Sequence, residues 1–400
     1  MDRAIRRMWM SAACVFILLM GTLSYIQFFD AQMLMEHKWN TRALYDNYGS
    51  QRGSIVVNGT EIASSVKSND EYNYQRVYSE PEKYAGITGY FSSVYGSTGI
   101  ESALDKELSG TSDSQFYDRV AQLFSGNSTR GASVELTVDD KLQTLAYQLL
   151  QGRKGSIVAM NPKTGEILAM ASSPSYDPNK LAAHSEQSVI ADYTKLTQDQ
   201  QSPLFNRAIA GNTYSPGSTF KIIDAVAALE SGKYDEKSVI DNPAQLPLPG
   251  TNVTLPNFVN GQCATRTQAT IEWALAQSCN TPFANIALDL GQEKISQTAS
   301  KFGYGQDLSI PLKVTKSDFP SDMTKSQLAQ ASVGQYDVKT TPLQVAMTSA
   351  AIANGGVQMK PNLVRSVKTS NLSTLSEFSP EKLRTSTSQK VADQVKQWMV

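Results

Sequence analysis

Histidine is nearly missing from this 400-residue chain: His37 and His184 are the only two. A Ser-His-Asp triad would have to use one of them, and zinc sites built on paired histidines are close to excluded. Neither lies in an HExxH-like setting, and both read as surface residues. An excess of either charge is missing too, since 36 basic and 37 acidic side chains leave a formal net charge of −1. With no basic stripe interleaved with aromatics, the composition excludes nucleic acid as an expected partner. No metal or cofactor pattern is found, and none is expected. Cysteine is scarce, with only Cys14, Cys263 and Cys279. What is present is apolar content of 40% against 18% charged, enough to build a core. The length asks for two or three domains rather than one.

The clearest local signal is "MWMSAACVFILLMGTLSYIQFF", Met8 to Phe29, which holds no charged residue. A helix of that length crosses a bilayer. Arg3, Arg6 and Arg7 precede it, so residues 1–7 are expected in the cytoplasm and the remainder outside. A cleaved signal peptide or a buried core helix would share the apolar run. The absence of an Ala-x-Ala site and the length of the run favour an uncleaved anchor over 8–29. Cys263 and Cys279 would then face an oxidising compartment, where they could pair.

Beyond the anchor, "RGSIVVNGTEIASS" reads as a β-hairpin turning at Asn58-Gly59, and "EYNYQRVYSE" adds an alternating strand. A short helix is expected near Ile100–Leu108. No chemistry is visible in 30–133, which reads as a non-catalytic module. From residue 134 the composition changes. Thr137 or Asp139 could cap a helix whose apolar face is Leu142, Leu145, Ala146 and Leu149. "GSIVAMNPKTGEILAMASS" is a second hairpin, with Lys163-Thr164-Gly165 in its turn. "TTPLQVAMTSAAIANGG" is a helix with a threonine cap, Pro342 at its first position and a Gly-Gly stop.

The candidate nucleophile lies in "YSPGSTFKIIDAVAALESG". Ser218 and Lys221 are three apart at the start of a helix and share one face. Helix N-terminal N–H groups favour negative charge, and a neighbouring amine can deprotonate the serine once burial lowers its pKa. Ser-x-x-Lys alone is weak, because Ser64–Lys67 and Ser379–Lys382 repeat it in settings with no helix start. Sixty residues on, "ALAQSCNTPFANIALDLG" places Ser278 and Asn280 between two apolar helical runs. A hydroxyl there can relay a proton, and a carboxamide can hold a substrate amide. Ser125-Gly126-Asn127 shows the same pattern in a loop, so order, spacing and flanks carry the specificity of the pair at 218 and 278.

"YSPGSTFK", "ALAQSCNT" and "TPLQVA", in that order, resemble class B penicillin-binding proteins, the monofunctional peptidoglycan transpeptidases, and most of all their actinobacterial type. The likeness extends to the anchor and to the "RGSI" and "GYFSSVYGSTGIE" segments. It implies an α+β fold: a five-stranded antiparallel sheet flanked by helices, over 134–400, above a β-rich pedestal over 30–133. It implies Ser218 as the nucleophile on the penultimate D-alanine of a stem peptide, Lys221 as general base, Ser278 as proton relay and Asn280 as substrate-amide contact. β-Lactams would trap Ser218. Stem peptides, lipid-linked precursor, a glycosyltransferase and other wall-synthesis proteins are the implied partners, and a Cys263–Cys279 disulfide would suit relatives of this type.

The family's third element, a Lys-Thr-Gly on a strand after Ser-x-Asn, has no counterpart in this reading. Lys163 lies upstream of Ser218 in a turn. Lys339-Thr340-Thr341 precedes a capped helix, and Lys368-Thr369-Ser370 lacks glycine. The terminal "TSTSQKVADQVKQWMV" has Val391, Val395, Trp398 and Met399 on one stripe and no stop signal, so the expectation is a C-terminally truncated chain with part of the oxyanion hole and carboxylate grip beyond Val400. Two other functions stay open at this point. A serine β-lactamase or D,D-carboxypeptidase would turn penicillin over rapidly, and a non-catalytic membrane scaffold would tolerate Ser218→Ala.

Overall fold

The computed structural model describes residues 2–30, 48–115, 130–211 and 213–399. His37 and Ser125-Gly126-Asn127 lie outside them. The first described element is a helix, Asp2–Tyr25, continued by a π-helical turn, Ile26–Asp30. It is the one described helix long and apolar enough to cross a membrane, and its apolar window is not buried among the described residues.

A six-stranded mixed sheet follows. Its strands run in the order Thr374–Glu377, Val364–Lys368, Ser133–Leu136, Ile55–Val57, Thr60–Lys67, Tyr74–Tyr78. The Ile55–Val57 and Thr60–Lys67 pair is the hairpin expected from Asn58-Gly59, and both turn residues have positive φ (47° and 78°), as a tight primed turn needs. Ile55 pairs in parallel with Val134, and Val367 pairs antiparallel with the other side of that strand. Residues from beyond 360 therefore complete the sheet that the first hundred residues begin. One apolar core, including Ile55, Val134, Leu136, Ile167, Met170, Leu343 and Val367, runs continuously from this sheet into the following module.

Under the sheet lies a buried ionic cluster. Glu101, wholly buried, accepts from Arg52 Nε at 2.6 Å and from Arg76 Nε at 2.7 Å, with Tyr78 Oη donating at 3.1 Å. Arg52 also reaches Asp105 at 2.7 Å and lies over the Phe91 ring. The helix expected near Ile100–Leu108 is two short helices, Gly99–Ala103 and Asp105–Ser109, which place Glu101 and Asp105 on the arginine side.

In the second module, Gly155–Met160 and Ile167–Ser173 form an antiparallel hairpin. Among the described residues it stands as a two-stranded sheet of its own. The helix Asp140–Leu149 packs on it and is capped by Asp139, whose carboxylate accepts from the Leu142 N–H. Of the expected apolar face only Ala146 is buried. Leu142, Leu145 and Leu149 are exposed, while Gln143 is fully buried. Gln143 donates to the Lys83 carbonyl and accepts from the Met170 N–H, so satisfied polar groups rather than leucine burial orient this helix.

Several further helices share one apolar core with Lys221–Glu230. They include Thr281–Leu290, Gln292–Lys301, Pro342–Ala353 and Gln389–Trp398. Thr341 caps the first of the last two as read from sequence, Ser388 caps the second, and Val391, Val395 and Trp398 enter the core, whereas Met399 stays exposed. His184 is not a free surface residue. It hydrogen-bonds Asp70 and lies against the Tyr72 ring, joining the first module's outer hairpin to the second module.

Candidate active site

Pro216-Gly217 breaks the chain before the nucleophile, and Gly217–Phe220 then forms a 3₁₀ turn that leads into the helix Lys221–Glu230. In a 3₁₀ turn residues three apart eclipse one another, so Ser218 and Lys221 face each other more directly than in an α-helix. The turn is held from outside by the chain at Gly334. Gly217 N–H donates to the Gly334 carbonyl at 2.9 Å. Gly334 has φ +69°, and a Cβ there would lie 2.0 Å from the Gly217 oxygen. Only glycine allows that approach.

Lys221 Nζ lies 3.1 Å from Ser218 Oγ, 3.2 Å from Ser278 Oγ, 2.7 Å from Asn280 Oδ1 and 2.6 Å from the Ser278 carbonyl oxygen. All four residues singled out from sequence thus meet at one amine. The hydroxyls of Ser218 and Ser278 face the solvent-exposed side, whereas Lys221 is 1% exposed. Burial pulls its pKa down from 10.5 to about 8, and the nearby Asp224 opposes that shift. The amine is therefore partly neutral under mildly alkaline conditions, as a general base must be.

The second element is built from a helix end and a helix start. Ile271–Ala276 terminates in a Schellman arrangement: Ser278 N–H donates to the Leu275 carbonyl and Cys279 N–H to the Ala274 carbonyl. Ser278 occupies the left-handed position, φ 57°, where glycine is usual. That conformation turns both its carbonyl and its hydroxyl toward Lys221. A left-handed serine is a mild strain retained at a site where its side chain has work to do. Cys279, the middle residue of Ser-x-Asn, is disulfide-bonded to Cys263 with a Cα–Cα distance of 5.5 Å.

Three residues that the sequence did not single out belong to the site's surroundings. Gly334 sets the nucleophile turn. Asn257, 3% exposed, hydrogen-bonds the backbone of Asn280 and Thr281. Asp224 is fully buried on the nucleophile helix with no hydrogen-bond donor at either oxygen, and burial pushes its carboxyl well above the usual range despite Lys221. None of the three stands in a motif; the partners of Gly334 and Asn257 lie far away in the chain, and Asp224 sits one turn beyond Lys221.

Lys163-Thr164-Gly165 is a turn. Gly165 has φ +82° and abuts the Lys360 carbonyl, Thr164 Oγ1 donates to Glu166, and none of these partners belongs to the Ser218 cluster. Lys339 and Thr340 are bridge residues, pairing with Asp318 and Tyr214.

Family models and known proteins match the chain over nearly its whole length. Residues 155–400 match the penicillin binding protein transpeptidase domain, and residues 52–134 match the penicillin binding protein A dimerisation domain. The peptidoglycan D,D-transpeptidase PbpA of Mycolicibacterium smegmatis is 39% identical over 406 aligned residues, which cover all of this chain and 82% of that protein. The corresponding protein of Mycobacterium tuberculosis is 36% identical with the same coverage. The solved structure of penicillin-binding protein A from M. tuberculosis as a ceftriaxone acyl-enzyme superposes with a TM-score of 0.86 at 36% identity, over 89% of this chain and 81% of that one. Its penicillin G acyl-enzyme gives a TM-score of 0.84, over 88% and 81%. By sequence and by fold, the chain belongs to the penicillin-binding protein transpeptidase family.

Proposed function

We propose that this protein is a peptidoglycan D,D-transpeptidase in which Ser218 is the acylated nucleophile, Lys221 its general base, Ser278 the proton relay and Asn280 the contact to the substrate amide. The neutral Lys221 amine takes the Ser218 proton as Oγ attacks the penultimate D-alanine carbonyl. Collapse of the tetrahedral adduct breaks the terminal peptide bond, and Ser278 passes the proton on to the departing D-alanine amine. An amine of a second stem peptide then attacks the ester, forms the cross-link and frees Ser218. No metal or cofactor has a role in these steps. The observation that carries the reading is the meeting of Ser218 Oγ, Ser278 Oγ and Asn280 Oδ1 at Lys221 Nζ, all within 3.2 Å.

The Arg3, Arg6 and Arg7 side of the N-terminal helix is proposed to face the cytoplasm, with Ser218 outside, where lipid-linked precursor, a glycosyltransferase and other wall-synthesis proteins work. Penicillin G tests the assignment. Intact mass of the membrane-extracted protein should show one stable adduct, mapped to Ser218 and lost in Ser218→Ala. Absence of an adduct, an adduct on another residue, or rapid release of hydrolysed penicillin would sink it.

A second expectation concerns the nucleophile turn. Gly334→Ala forces the Gly217 carbonyl away and should slow penicillin G acylation about 10²-fold, the scale of an ångström misplacement. Stopped-flow competition with a fluorescent penicillin measures it. An unchanged rate would mean that the Gly217–Gly334 contact does not position Ser218.

A further inference from the structure

Asn280 begins the helix Thr281–Leu290, and asparagine is among the strongest residues for capping a helix by its own side chain. Here it makes no such cap. Its Oδ1 accepts instead from Lys221 at 2.7 Å, and its Nδ2 donates to the Pro256 carbonyl at 2.8 Å. The helix start is satisfied by a residue 23 positions away. Asn257 Oδ1 accepts from the N–H groups of Asn280 at 2.7 Å and Thr281 at 3.1 Å.

Asn257 is itself held on every side. Its Nδ2 lies 2.7 Å from Asn242 Oδ1, 2.9 Å from Thr281 Oγ1 and 3.2 Å from the Pro243 carbonyl. Asn242 is fully buried and donates to the carbonyls of Cys263 at 2.8 Å and Arg266 at 2.7 Å. The chain of amides thus runs from the Cys263 and Arg266 carbonyls through Asn242 and Asn257 to the backbone of Asn280. An amide buried this completely, with its oxygen and its nitrogen both engaged, has one orientation available.

We propose that Asn257 is a positioning residue for acyl transfer: by holding the N–H groups of Asn280 and Thr281 where the Thr281–Leu290 helix begins, it fixes the Asn280 carboxamide toward Lys221 and the substrate. This rests on the assignment of Asn280 given above. Without Asn257, the Asn280 N–H and the first helical N–H lose their acceptor. The Asn280 backbone is then no longer fixed at the helix start, and its carboxamide shifts away from Lys221. Asn257 touches neither substrate nor reacting atoms. Its effect passes through Asn280.

The test uses the membrane-extracted full-length protein and penicillin G. The acylation rate and the fraction of protein labelled are measured separately for wild type, Asn257→Ala, Asn280→Ala and the double variant. Asn257→Ala should slow acylation about 10²-fold, as a displaced catalytic group does, while the labelled fraction stays at the wild-type level. In the Asn280→Ala background the same substitution should add no further slowing, because interacting residues are non-additive. A wild-type rate with a reduced labelled fraction would show a structural role only and overturn the proposal, as would full additivity in the double variant. If Asn257→Ala does not fold, Asn257→Ser, which leaves an oxygen near one of the two N–H groups, is read by the same two quantities. Failure of the underlying assignment looks different: the wild-type adduct would map away from Ser218, or Asn280→Ala alone would acylate at the wild-type rate.

Discussion

Lys221→Ala should slow acylation of Ser218 by penicillin G about 10³-fold, within the range for loss of a positioned general base. The residue is buried to 1%, so no solvent base can take over at its position, and its amine is the only group within hydrogen-bond distance of both Ser218 Oγ and Ser278 Oγ among the described residues. Lys221→Arg separates the two roles that a lysine could have. Arginine keeps a positive charge but cannot be deprotonated in a protein, so it should be nearly as slow as alanine if Lys221 acts as a base. If arginine restored the rate, Lys221 would be serving only as a fixed charge. The measurement is the second-order acylation rate constant, taken with the labelled fraction so that misfolded protein is not counted.

The same buried amine gives the wild-type rate a definite pH dependence. Only neutral Lys221 can accept the Ser218 proton, and its pKa is lowered to about 8 by burial against the opposing Asp224 charge. The rate should climb about tenfold per pH unit below that value and level off above it. The stability consequence has the same direction. Between about 8 and the ordinary lysine value of 10.5 the unfolded chain holds a proton that the folded one has released. The unfolded state binds more protons there, so Lys221's contribution makes stability rise with pH across that window. A pH–rate profile flat from 6 to 9 would contradict a buried lysine base.

How much of this could be read in advance depended on how local each feature is. The Asn58-Gly59 hairpin, the Pro-Lys-Thr-Gly turn and the caps at Asp139, Thr341 and Ser388 rest on contacts a few residues apart, and the structure has each of them. Ser218 and Lys221 were legible for the same reason, since a helical turn brings them together. Ser278 and Asn280 were singled out by order, spacing and flanks, but only the resemblance tied them to the nucleophile, because nothing local says that they meet a lysine nearly sixty residues earlier. Asn257 and Gly334 were invisible: an asparagine in Leu-Pro-Asn-Phe and a glycine in Ser-Val-Gly-Gln look like loop residues until the fold shows what they abut. The helix Asp140–Leu149 misled in the other direction. Its leucines form an apolar stripe, yet the buried side is organised by Gln143, whose partners at Lys83 and Met170 no periodicity can announce. The six-stranded sheet was hidden likewise, because its last two strands come from residues 364–377, more than two hundred positions after the strands they join.

Glu101→Gln should cost about 3–5 kcal/mol of stability, the range for breaking a buried ion pair by removing one partner. The substitution keeps the shape and removes the one negative charge lying between Arg52 and Arg76, all three side chains being at most 2% exposed. Arg76 is the more vulnerable of the two. Arg52 retains Asp105, whereas Arg76 would keep only the Gly53 carbonyl and weaker contacts, and one of its terminal nitrogens already has no partner. Burial alone would raise the Glu101 pKa, but the two guanidiniums outweigh it and hold the carboxyl below its usual 4.5. The stabilisation is therefore present above 4.5 and is lost as pH falls through the lowered value. Urea unfolding at pH 7, with hydrogen exchange followed in the strands Ile55–Val57 and Tyr74–Tyr78, measures the loss where it should be concentrated. A triple replacement of Arg52, Glu101 and Arg76 by apolar residues of similar volume should cost much less than Glu101→Gln, because it leaves no stranded charge. If the triple variant were the less stable of the two, the cluster would be contributing net attraction, and the cost of Glu101→Gln could no longer be assigned to uncompensated arginines.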